Sequence, residues 1–299
     1  MRSACARLTA PYGGGRRNEG QPRVILRSVA QIEKPDTFAG EANNVSELLA
    51  HITNWHDRYK VDAAYVHRVW YRGHGDQSYV LWPGVYRDAF TAASAGMYGK
   101  DAEEKRLNLE REMLTEFRTS GATLLDANAI VEVYFTAQHV GMPTRLLDWT
   151  MNPLAALFFA VRGQREDKDG ELLIMDAPKL LPNKPDIPKG IVTMQHPHAV
   201  DAIGLSFWMP PKVKGRPALV LPIRPDNQAG RIGQQSSCFT LHMHGAQPCS
   251  NPTLSRIRIP GKAKPRMLDE LRMLNINEFS IYNDLDHLAE EIRRTRNIP

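Results

Sequence analysis

The sequence is poor in cysteine: Cys5, Cys238 and Cys249 are the three in 299 residues, and no CxxC pair occurs. Three scattered thiols make neither an even disulfide framework nor a zinc ribbon, so the expected setting is reduced and cytoplasmic. No apolar run approaches the roughly 18 residues of a membrane helix, and the stretch after Met1 lacks the apolar core of a signal peptide. The common catalytic signatures are missing too: there is no GxSxG elbow, Walker loop, HExxH pair or GxGxxG fingerprint. Gly13–Gly15 fall in a Gly, Arg and Pro mixture and are no phosphate loop, and "HMHG" at 242–245 is a weak metal hint. Glu103, Glu104, Glu290 and Glu291 read as solvated helix faces rather than acid and base pairs. Charge of one sign does not dominate either: 38 Lys and Arg against 33 Asp and Glu give +5. That excess suits an anionic partner, a nucleotide or a nucleic acid, without choosing between them.

What is present is an ordinary globular mixture, 42% hydrophobic and 24% charged. Residues 1–22 have little to bury and read as a flexible tail; residues 23–299 read as one α+β domain, helices packed on a twisted β-sheet. "VILRSVA" (24–30) suggests a first strand. Asn44 and Glu47 open a helix whose Leu48, Ile52, Trp55 and Tyr59 form one apolar face. Asp101 and Glu104 announce a second helix ending near Gly121, and a third covers 129–140. Thr150 is read as the cap of an apolar helix with Pro153 in its first turn. The second half is a series of short strands, "ELLIMDA", "GIVTM", "ALVLPI", "SCFTLH" and "LSRIRIP". Two amphipathic helices close the chain, the last capped by Asp284.

Three segments carry unusual residues. "VWYRGHGDQSYVLWPGVYR" (69–87) sets Arg72 between an aromatic and Gly73 at a strand end, where a guanidinium fork suits phosphate or carboxylate. Arg87 adds a second charge. The alternative is a structural ion pair between Arg72 and a core carboxylate such as Asp148. "QHVGMPTRLLDWTMNP" (138–153) places His139, Thr144, Arg145, Asp148, Trp149 and Asn152 in a presumed loop between helices, with freed N–H groups beyond it. There Asp148 could equally brace Arg145, Trp149 could be core and Asn152 could tie the turn. "RIGQQSSCFTLH" (231–242) brings Gln235, Ser236 and Phe239 to a strand entry, where amides and hydroxyls suit a ribose or merely satisfy a turn.

"WYRG" followed by "QHVGMPTRLLDWTMNPLAALFFA" resembles the FRG domain, a bacterial and phage family named for its (F/Y)RG motif, over about 65–163. "RIGQQSSCFTLH" and "FSIYNDLDHLAEEI" are similar to its downstream segments. The sequence departs where a glycine is usual, near Ser236 and Ser237, and where Phe-Pro is usual, at Tyr282 and Asn283. The resemblance implies a defence or toxin-type setting. The order of motifs is also similar to that of the ADP-ribosyltransferase fold, in which an arginine grips NAD, aromatics sandwich the nicotinamide and an acidic group stabilises an oxocarbenium-like transition state. Carried over, this implies NAD as cofactor and Arg72, Asp148 and Gln235 as catalytic residues. Tyr71, Gly73, Arg87, His139, Thr144, Arg145, Trp149 and Asn152 would line the cofactor site. Gln235 lacks the negative charge of the third motif, which Asp148 or Glu278 would have to supply. The acceptor would be a protein or nucleic acid, with a neutralising protein partner conceivable and no membrane role. The other reading is a non-catalytic module that senses a nucleotide or a phage component.

Overall fold

The computed structural model describes residues 31–34, 37–126, 129–163, 166–204, 218–225, 236–246 and 248–296. The tail at 1–22, the strand expected at 24–30 and Gln235 lie outside the described residues. Eight strands are described: β1 (Phe38–Glu41), β2 (Val69–His74), β3 (Leu146–Thr150), β4 (Gly170–Asp176), β5 (Val192–Thr193), β6 (Val220–Arg224), β7 (Ser237–His242) and β8 (Ser255–Ile259). They form one mixed sheet in the order β1-β8-β4-β2-β3-β7-β6-β5, parallel at its two outer pairs and antiparallel between. The α+β expectation holds.

The helices are α1 (Val45–Tyr59), α2 (Asp88–Ala93), α3 (Ala102–Ser120), α4 (Ile130–His139), α5 (Pro153–Val161), α6 (Pro197–Gly204), α7 (Lys264–Met273), α8 (Glu278–Tyr282) and α9 (Leu285–Thr295). The capping signals act as the sequence suggests: Asn44, Asp101 and Asp284 each accept from the N–H three residues on. The cap of α5 is a correction. Asn152 Oδ1 accepts from the N–H groups of Leu154 and Ala155, while Thr150 belongs to β3 and its hydroxyl accepts from Asn152 N.

Strand alternation sorts the core into faces. Tyr71 of β2 lies opposite Thr150 of β3, and Tyr71, Leu172, Ile174 and Ile257 pack under α1, α5 and α7. Leu146, Leu221, Phe239 and Leu241 point to the same side and pack under α3, α4 and α6. The opposite face carries Trp70, Leu147, Trp149, Leu173, Met175, Val220 and Cys238, covered by Leu81, Val85, Tyr86 and Phe90.

The sheet is not uniformly joined. β2 shares six paired positions with β4, and β3 shares five with β7, but β2 and β3 share one, Tyr71 with Thr150. Beyond that pair the strands part, leaving four strands on either side of a notch. Arg72, Gly73 and His74 form one lip, and Leu146 to Asp148 the other.

Candidate functional site

The notch is bridged by Arg72. Its Nη1 donates to the main-chain oxygen of Asp148 at 2.5 Å, and its Nε donates to His74 Nε2 at 3.0 Å. An arginine Nε–H can only donate, so His74 Nε2 must be the bare nitrogen and Nδ1 carries the proton. That proton goes to Glu171 Oε1 at 2.9 Å, and Glu171, 1% exposed, also takes Lys34 Nζ. Lys34, Glu171, His74 and Arg72 therefore form a continuous chain that fixes the guanidinium. Burial pushes the His74 pKa down to about 4, with the hydrogen bond to Glu171 opposing and the Arg72 charge adding to it.

Arg72 itself is half-buried, and no carboxylate among the described residues pairs with it. Burial lowers its pKa to about 10; the Asp148 charge opposes that fall and Arg87 deepens it. Arg87, exposed at the start of α2, also has no ion pair among the described residues. Among the described residues the notch thus holds two neighbouring cations, neither in an ion pair, with the Asp148 charge nearby.

Asp148 is exposed, and both carboxylate oxygens accept from Gln138 Nε2 at 3.1 and 2.9 Å. Thr144 Oγ1 in turn donates to Gln138 Oε1 at 2.6 Å, which locks the amide. By alternation along β3 the carboxylate faces α4, whereas Arg72 shares the other face with Trp70 and His74. The guanidinium thus meets Asp148 through its main chain, not its carboxylate.

The stretch 146–150 is strand rather than loop, and this changes the surroundings of its residues and of Arg145 just before it. Arg145 is 2% exposed: its Nε donates to Glu110 Oε2 at 2.9 Å and its Nη2 to Ala202 O at 2.5 Å, while its main-chain N–H reaches Glu110 and Tyr134. Burial works against its charge, but Glu110 and its neighbours outweigh that and raise the Arg145 pKa. Trp149, 3% exposed, lies in the core with its indole N–H on Thr240 at 3.3 Å. Tyr71 is buried under α5, with its hydroxyl 3.4 Å from His56, and burial raises its pKa. Gly73 is required by packing: a Cβ there would stand 1.8 Å from Ala156 O, so β2 touches α5 backbone to backbone. His139 ends α4, half-buried, next to Gln138. Glu278 starts α8 and pairs with Arg272 at 3.8 Å, away from the notch. Of the residues singled out, the notch gathers Arg72, Arg87, Thr144 and Asp148, and it recruits Lys34, His74, Gln138 and Glu171, which drew no notice in the sequence.

Glu103 is another correction. Far from a solvated face, it accepts from Tyr86 Oη at 3.1 Å and from Arg106 at 2.7 Å, and lies 3.4 Å from His244 Nδ1. Burial opposes its ionisation, yet His244 and Arg106 hold its pKa near 2. His242 of the "HMHG" segment is buried against Thr240, and among the described residues no cluster of His, Cys, Asp and Glu could hold a metal ion. Nor does any described helix have the length and apolarity to cross a membrane.

A mixed α+β sheet that parts around an arginine at the end of β2 is the arrangement on which the comparisons bear. Residues 67–169, which hold β2, the notch and α5, match the family model of the FRG domain. No curated protein and no solved structure matches the chain.

Proposed function

We propose that this FRG-domain protein uses NAD to transfer ADP-ribose to a macromolecule, as a toxin-type or antiphage effector in the cytoplasm. The supporting observation is Arg72: a half-buried guanidinium, held by His74 and the Asp148 carbonyl, with Arg87 nearby and neither of them in an ion pair among the described residues. Two arginines without an ion-paired carboxylate among the described residues form a donor set for phosphate oxygens. When bound, NAD would supply the ADP-ribosyl group and nicotinamide as leaving group. Arg72 and Arg87 would hold its phosphates, and Asp148, oriented by Gln138, would provide the negative charge that electron-deficient sugar chemistry needs. Stacking would have to come from an exposed ring, since Tyr71 and Trp149 are buried. Tyr79, 52% exposed with its ring 5.9 Å from His74, is suitably located.

A second reading, a non-catalytic nucleotide sensor, draws on the separation of charge. The Asp148 carboxylate faces α4 while the Arg72 side chain comes from the other face, an arrangement that binds an anion without an acid beside it. Purified protein incubated with labelled NAD and cell lysate distinguishes the two. Nicotinamide release and labelled macromolecules, both lost in a folded Arg72→Ala variant, support transfer. Nucleotide binding without turnover supports the sensor, and absence of both sinks each reading.

A further inference from the structure

A second cavity, of about 450 Å³, lies at the opposite end of β2 from the notch. Tyr65, His67 and Arg68, just before β2, form one wall; Pro178, Ile191 and Val192 give it an apolar side, and Arg224 at the end of β6 adds a cation. Arg72 lies four residue steps of extended chain beyond Arg68, roughly 13 Å at about 3.3 Å per residue, so the two sites do not share side chains.

The wall is ordered by its own contacts. Both oxygens of Asp176, a residue 4% exposed, accept from Arg68 at 3.1 and 2.8 Å, and this fixes the guanidinium 5.8 Å from the centre of the Tyr65 ring. Tyr65 is nevertheless 51% exposed, and its ring stands 6.3 Å from that of His67 at an angle of 54°. A tyrosine so open, with a guanidinium over one face of its ring, leaves the other π-face to whatever enters. Asp176 neutralises Arg68, which leaves Arg224 to supply charge: it is exposed and has no ion pair among the described residues. β5 ends the sheet, so one side of Val192 and Thr193 has no neighbouring strand among the described residues and offers main-chain groups to a flat ligand edge.

One unmatched cation, one exposed ring pair and an apolar side within the usual range of ligand cavities describe a small ligand with one anionic group and one planar ring. We propose that this cavity binds a nucleoside monophosphate, its base on Tyr65 and its phosphate on Arg224, independently of the notch. The site does not depend on the transferase reading, and its test separates the two.

The test is calorimetric titration of the full chain with AMP, and with inorganic phosphate and adenosine as single-part probes. AMP is expected to bind more tightly than either part. Arg224→Ala should weaken it about tenfold or more, the worth of a charge-assisted hydrogen bond, and Tyr65→Ala by a similar factor, while Arg72→Ala leaves it unchanged. Both substituted side chains are exposed, so folding is retained, checked by the thermal transition. The proposal is overturned if AMP does not bind at millimolar concentration, if phosphate alone binds equally well, or if Arg72→Ala abolishes binding while Arg224→Ala does not.

Discussion

Arg72 on β2 and Arg145, the residue just before β3, lie in one segment matching the FRG family model and have opposite fates. Arg145 is enclosed with Glu110, and its charge is answered inside the protein. Arg72 has a carbonyl and a neutral imidazole for partners; among the described residues no carboxylate pairs with it, and the Asp148 charge acts on it only across space. Their pKa values diverge accordingly, upward for Arg145 and down to about 10 for Arg72. An arginine balanced by a buried carboxylate holds elements together; one kept half-buried without a counter-ion is poised for an anion from outside. Before the partners are known, the two residues look alike.

The largest effect that would break this contrast is on stability. Glu110→Ala removes the carboxylate that accepts from the Arg145 side chain, the Arg145 main chain and Tyr134 Oη. Stranding a buried charge costs about 3–5 kcal/mol, so urea unfolding should show a loss of that order or no folded protein. A loss below about 1 kcal/mol would mean that Arg145 is not locked in the core, and its role as a ligand contact would reopen.

A second test uses pH. His74 has a folded pKa of about 4 against an ordinary 6.5, because burial disfavours its charged form. Below pH 6.5 the unfolded chain takes up a proton that the folded protein refuses, so stability falls as pH drops from 6.5 towards 4, by up to about 3 kcal/mol. Glu103, held near 2 against 4.5, contributes stability above pH 4.5 that is lost as pH falls towards 2. His74→Gln should flatten the first window and leave the second. Identical urea-derived profiles in both proteins would refute the neutral, Arg72-orienting imidazole.

These contrasts mark where sequence reading reaches its limit. The caps at Asn44, Asp101 and Asp284 and the strands of the second half were legible because each is set by residues a few positions apart. "LLDWT" resembles a loop because it carries an aspartate among apolar residues, yet that aspartate is simply the one exposed position of a strand. The partner of Arg145 was out of reach: Glu110 lies 35 residues away, on a helix legible mainly through its apolar side. Gly73 was legible as special but not for its reason, since the carbonyl that excludes a side chain belongs to Ala156 on another element. Ser236, in a segment where glycine is usual, takes a left-handed backbone with φ of 47°. The parting of β2 from β3 is a property of pairing, which no local pattern encodes.

A third test is aimed at Arg72. Arg72→Ala deletes two hydrogen bonds at a half-buried site, so its stability cost should be about 1–2 kcal/mol, well short of Glu110→Ala. Its effect on NAD turnover should be about 100-fold or more, the range for losing a preorganised charge at a reacting group. Circular dichroism and nicotinamide release on the same preparation read both quantities. A variant that unfolds like Glu110→Ala would erase the distinction between the two arginines.

The smallest effect is the most diagnostic of an anion site. Arg87 is exposed, and substitution to alanine should change stability by less than about 0.5 kcal/mol. Its charge nevertheless lowers the Arg72 pKa, so the two repel each other while no ligand is present and would cooperate on a phosphate that enters. Arg87→Ala should therefore weaken NAD binding about tenfold, and the loss should shrink as salt rises because the interaction is screened. If added salt leaves the ratio of the two affinities unchanged, Arg87 does not act through its charge and the phosphate pair at the notch reduces to Arg72 alone.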